Sequence, residues 1–169
     1  MKVIKFSTIS TIIFLFSISL SSCFGGKATT IKRAKEAFTE EKKAIPPEFG
    51  KKETVLLCVL KGRNSYDKYL KKAVTENYKG DYLFISPYDL ISDKYPKEKY
   101  RYYFDYNMGS TRTVRYQNSH LSSSVTFKSF FVRDRLKEQS YESGEEYSNF
   151  GAAMVGYMQN LELKRISMQ

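Results

Sequence analysis

The sequence predicts a single α/β domain: a mixed sheet with an N-terminal βαβ unit, antiparallel C-terminal strands and a closing C-terminal helix. Three patterns predict it. An apolar run, a helix-period segment and a second apolar run follow one another between Thr54 and Ile85. Period-two alternation of aromatic residues then begins at Tyr100, and small and apolar residues at helical spacing fill the stretch after Glu145.

Residues 31–47 read as a basic amphipathic helix and linker. Ile31, Ala34, Phe38 and Ile45 fall near one face among Lys32, Arg33, Lys35, Lys42 and Lys43, and Pro46-Pro47 ends the segment. Such a helix either lies on anionic head groups or packs on the domain. The α/β domain is expected over 48–169. Thr54 to Leu60 is apolar throughout, as for a strand buried on both faces. Tyr66, Tyr69, Leu70, Ala73, Val74 and Tyr78 mark the next helix, capped by Asn64 or Ser65 and stopped by Gly80. Tyr82 to Ile85 is a second short buried strand, parallel to the first through a right-handed crossover.

After Pro87 a turn of helix over Tyr88 to Ile91 leads into a polar stretch. Tyr100, Tyr102, Phe104 and Tyr106 then define a strand, Asn107 to Ser110 a turn, and Thr111 to Tyr116 a strand pairing back. Gln117 to Ser124 reads as loop. Val125 to Arg133, a turn at Asp134 to Lys137, and Glu138 to Tyr141 make a hairpin. The last helix is expected over 145–161, with Glu145 and Glu146 at its positive end and Gly151, Ala152, Ala153 and Gly156 allowing close approach to the sheet. This order of elements is loosely similar to a thioredoxin-like layout. The Cys-x-x-Cys of that family is absent, so the similarity implies no redox activity.

The N-terminus has a different character. Lys2 and Lys5 make a short positive region, followed by the apolar stretch Phe6 to Leu20. Those fifteen residues would reach only about 22 Å as a helix, against a hydrocarbon core of about 30 Å, which suits a removable signal better than a permanent span. The stretch ends Leu20-Ser21-Ser22-Cys23. This resembles the lipobox of bacterial lipoproteins, an aliphatic residue and two small ones before a cysteine. The resemblance covers 1–23 only. It implies a signal peptide over 1–22, a diacylglyceryl thioether on Cys23, cleavage before it, and acylation of the new amine by a palmitate-class chain. Residues 23–30, with Gly25-Gly26 and Thr29-Thr30, then read as a flexible lipidated tether. Phe24 replaces the Asp that retains many lipoproteins at an inner membrane, so the implied location is the cell envelope, at the periplasmic face of an outer membrane where there are two membranes.

The chain carries +10, and +8 once Lys2 and Lys5 have left with the signal. Such a surface suits anionic head groups or an envelope polymer, and export argues against nucleic acid. The expected partners are the bilayer, through acylated Cys23, and an envelope protein or anionic polymer. With Cys23 acylated, Cys58 lies alone in an apolar strand as a buried, inert thiol.

Enzymatic chemistry finds few residues. The single histidine, His120, sits among turn formers with no Gly-x-Ser-x-Gly elbow. One free thiol and one imidazole cannot build a Cys/His metal cluster, no calcium-loop spacing appears, and no cofactor is expected. The best candidate ligand site is the turn after the first strand: Lys61, Arg63, Asn64 and Ser65, with Gly62 between them, offer two cations and a helix N-terminus to an anionic group. Ser86, Tyr88 and Asp89 would be its neighbours. A plain strand-to-helix turn explains the same residues. Tyr100, Tyr102, Tyr103, Tyr106 and Tyr116 form either an aromatic face for glycans or ordinary sheet packing. The leading expectation is a non-enzymatic, membrane-anchored binding module. The alternative is a small anionic-ligand-binding or enzymatic module using Lys61 to Ser65.

Overall fold

The computed structural model describes residues 22–51, 53–115 and 122–169. Its elements are α1 (Ser22–Ala37), β1 (Val55–Val59), α2 (Asn64–Asn77), β2 (Asp81–Ile85), α3 (Pro87–Leu90), β3 (Tyr102–Arg115), β4 (Ser122–Asp134), β5 (Gln139–Glu142) and α4 (Phe150–Ser167). Five strands form one mixed sheet in the order β2-β1-β3-β4-β5. β1 pairs in parallel with both β2 and β3, so the antiparallel part begins only with β4. The α/β class and the mixed sheet are as expected.

β1 is an inner strand, and its five apolar residues are divided between two clusters. Leu56 and Cys58 face α1, α2 and α4 with Phe104, Phe130 and Val132, while Leu57 and Val59 face Ile85, Leu90, Tyr95 and Tyr103 on the other side. The helix α2 therefore crosses one face and the segment 86–101 crosses the opposite face. Since they also move in opposite directions along the sheet, the two crossovers share one hand. Cys58 is fully buried, and burial pushes its thiol up.

Packing moved several boundaries. The N-terminal helix covers Ser22–Ala37, so residues 23–30 are helical rather than a loose tether. The glycines are tolerated because the same helix buries Ala34 and Ala37, and Phe38 just beyond it is fully buried as well. A Cβ on Gly156 would stand 2.7 Å from Ala34 Cβ and 2.8 Å from Ile31 O, so that glycine lets α4 touch α1 rather than the sheet. Residues 31–47 are thus part of the core, not a linker before it. Phe38 stacks on Tyr157 with centroids 4.1 Å apart, and the Tyr157 hydroxyl donates to the Ala44 carbonyl.

Neither Asn64 nor Ser65 caps α2; Arg63 holds the N-cap position without a side-chain bond. β2 is an edge strand and only half buried. The turn expected at Asn107–Ser110 is instead a register shift between Met108 and Thr111, and β3 runs on to Arg115 beside β4. Glu146 braces this irregularity by accepting from Ser110 N at 2.9 Å and Ser110 Oγ at 2.6 Å. Glu145 and Glu146 therefore lie ahead of α4, which Asn149 caps through Ala152 N at 3.2 Å. His120 and Tyr116 lie outside the described residues.

Candidate functional site

Strand order reverses between β1 and β3, because one crossover from β1 leads left to β2 and the next returns right to β3. In open α/β sheets the crevice beyond the carboxyl ends of such strands is the usual ligand position. Lys61 sits there, and its charge is already committed. Its Nζ lies 2.8 Å from Asp105 Oδ1, donates to Tyr106 O at 2.6 Å and stands 4.4 Å from the Tyr106 ring centroid. Its backbone N–H donates to Asp67 Oδ1 at 3.1 Å. Burial pushes the Asp105 carboxyl up, and the Lys61 hydrogen bond opposes that rise.

The other three candidates do not join it. Arg63 is exposed, with Nη1 3.7 Å from Met108 Sδ. Asn64 and Ser65 are exposed too, and only Ser65 lines a cleft among those described, one it shares with Tyr66, Tyr69 and Phe150. Ser86 and Asp89 form a closed capping box, whose Ser86 N–H holds the Asp89 carboxyl below its ordinary value. The turn is thus braced from within. Lys61→Ala is expected to cost about 1–3 kcal/mol, because it strands a mostly buried carboxylate. Arg63→Ala should stay within about 0.5 kcal/mol. Urea unfolding of the two variants separates them.

The aromatic residues have the same character. Tyr102 and Tyr106 are buried in the helix-side core, and Tyr103 packs under the second crossover. Sheet packing accounts for them. A residue that sequence reading passed over is Lys128, which is 2% exposed. Its Nζ stands 4.5 Å from the Tyr66 centroid and donates to Thr126 O at 3.2 Å. The signal was there: Lys128 shares the inward parity of Phe130 and Val132 on β4.

What the fold does gather lies at one end. Along α1 and α4 the partners rise together, from Ile31 beside Gly156 to Lys35 O bonded by Asn160, so the two helices run parallel. Tyr66 beside Phe150 and Asn77 bonded to Gln159 show the same for α2 and α4. The N-termini of α2 and α4 thus point to the end where β1 finishes, each with the positive end of its dipole, and the first described residues of α1 lie at the same end. The β3–β4 ribbon extends past that end, since β1 pairs with β3 only through Phe104 while β3 continues to Arg115. At about 3.3 Å per residue this arm is roughly 35 Å long.

Its described residues carry Arg112 and Arg115, the buried Lys128, and one acid, Asp105, which is paired with Lys61. Arg112 is 3.9 Å from Glu146. Among the described residues no carboxylate lies within ion-pair distance of Lys27, Arg63 or Arg115. Cys23 is among the first described residues of α1, at this same end. Eleven helical positions separate it from buried Ala34, or about 16 Å. Arg33 fastens α1 here by bonding Glu145 at 2.5 Å across the Tyr147 ring.

Among the described residues no group of acids, cysteine and histidine is placed to hold a metal ion, and no helix is long and apolar enough to cross a membrane. No family model, no curated protein and no solved structure matches the chain.

Proposed function

We propose that this chain is a lipid-anchored module of a bacterial cell envelope, acting by binding rather than catalysis. Residues 1–22 direct export and are removed, and Cys23 carries the lipid. Several acyl chains give stable attachment where one would be marginal. The observation that carries the reading is the order of positive region, apolar stretch and Leu20-Ser21-Ser22-Cys23. The place of Cys23 in the fold supports it, since α1 leads from that residue directly into the core. A body joined so closely stands against the bilayer with its basic end inward, where anionic head groups or an acidic envelope polymer would meet Lys27, Arg63 and the arm.

An anionic-ligand or enzymatic role for Lys61 to Ser65 draws little support from the geometry, because Lys61 is neutralised by Asp105. The test is Cys23→Ala in the full chain. The variant is expected to remain an uncut precursor and to take up no labelled fatty acid, while the parent chain is shortened and labelled. Equal processing and labelling of the two chains would refute the proposal.

A further inference from the structure

A groove of about 750 Å³ runs between α1 and α4, away from the Lys61 turn. Its apolar lining is Ala28, Ile31, Phe38, Ile45 and Leu163, of which Phe38 and Ile45 are buried. Two of its polar side chains are spent on the protein itself. Asn160 Nδ2 donates to Lys35 O and to Phe38 O, both at 2.7 Å, and Lys164 Nζ bonds Glu40 Oε2 at 2.6 Å. Yet Leu163 remains 57% exposed. Lys32, Lys35 and Glu36 also line the groove, and the two lysines have no carboxylate within ion-pair distance among the described residues.

We propose that this groove binds a long-chain fatty acid, hydrocarbon along the α1–α4 seam and carboxylate against Lys32 and Lys35. Two features select this occupant. An extended peptide would bring a row of backbone groups that need partners, and Ala28, Ile31, Ile45 and Leu163 offer it no side-chain partner, whereas a hydrocarbon needs none. The unpaired lysines complement a single anionic end. The volume lies inside the ordinary range for a small-ligand site, about 300–1,000 Å³. The inference does not depend on Cys23 being acylated.

The test uses the full chain and hexadecanoate carrying a photoreactive diazirine near its methyl end. Crosslinks are expected on peptides spanning 28–39 or 159–164. Unlabelled fatty acids should compete with a gain of up to about fourfold per added methylene until the groove is filled. Leu163→Asp places a charge at an exposed groove position, so the fold should survive with an unchanged melting temperature while labelling falls about tenfold or more. Lys32→Gln with Lys35→Gln should weaken competition by hexadecanoate and leave that of its methyl ester unchanged. Crosslinks scattered over the chain, labelling that survives Leu163→Asp, or competition blind to chain length would overturn the site. Equal effects of the lysine pair on acid and ester would overturn the placement of the carboxylate.

Discussion

Phe38→Ala is expected to cost the protein about 3–5 kcal/mol, the usual range for removing a fully buried phenylalanine. The ring is 0% exposed. It stacks on Tyr157, meets Phe130 edge-on at 5.8 Å and touches Tyr147 at 5.4 Å. These partners come from β4, from α4 and from the segment that leads into α4, so the loss falls where three parts of the fold meet. For a chain of this size each kcal/mol is about 2–4 °C of melting temperature, and the variant should melt about 6–20 °C lower. Urea titration and thermal melting both read it. A loss below about 1 kcal/mol would mean that α1 and the turn after it are an attachment to the domain rather than part of its core.

Arg101→Met should be of similar size, about 3–5 kcal/mol, because it leaves a buried charge without its partner. Asp134 has a side chain only 1% exposed, and Arg101 meets it with two nitrogens, Nε at 2.9 Å from Oδ1 and Nη2 at 2.6 Å from Oδ2. Nη2 also reaches Glu48 Oε2 at 2.6 Å. This cluster ties β3 and β4 to the turn segment after α1. Burial pushes the Asp134 carboxyl up, but the Arg101 hydrogen bonds and the Lys137 and Leu136 N–H groups outweigh it and hold the carboxyl below its ordinary value. Glu48 is drawn down to about 2 by hydrogen bonds from Lys51, Arg101 and Lys137.

Both shifts have the same sign. A carboxyl depressed in the folded state adds stability above its unfolded value, near about 4, and loses it as pH falls through the folded value. The parent chain should therefore lose stability between about pH 4.5 and pH 2, and the gap between parent and Arg101→Met should narrow over that window. Asp105 acts in the opposite direction, since its raised carboxyl removes stability as pH rises through it. A parent–variant gap independent of pH down to 2 would contradict the account of the cluster.

Much of the fold was legible in the sequence where one physical cause dominated. The double burial of β1 is written in Val55-Leu56-Leu57-Cys58-Val59, and the period of Leu70, Ala73 and Val74 marks the inner face of α2. Legibility failed where a distant contact overruled local chemistry. Gly25-Gly26 and Thr29-Thr30 have the composition of a tether, yet α1 passes through them because Ala34 docks on Gly156, far away in sequence. Asn107-Met108-Gly109-Ser110 has the composition of a turn, yet Glu146 braces the segment as an irregular strand. Glu145 and Glu146 suit a helix start, but they are used by Arg33 and Ser110 instead. The candidate turn fails for the same reason. Lys61 to Ser65 shows two cations in sequence, while the acid that neutralises Lys61 arrives on β3. Conversely, the groove between α1 and α4 has no local signature, since its walls meet only when the two helices pack side by side.

The anchor can be decided by the mass of one peptide. Mass spectrometry of the natural protein, released from its membrane and digested, should find a mature chain whose first residue is Cys23, its sulfur in thioether linkage to diacylglycerol. A peptide that runs through Ser22 into Cys23, or a Cys23 with an unmodified thiol, would contradict the proposal that this domain is held to a bilayer at the start of α1.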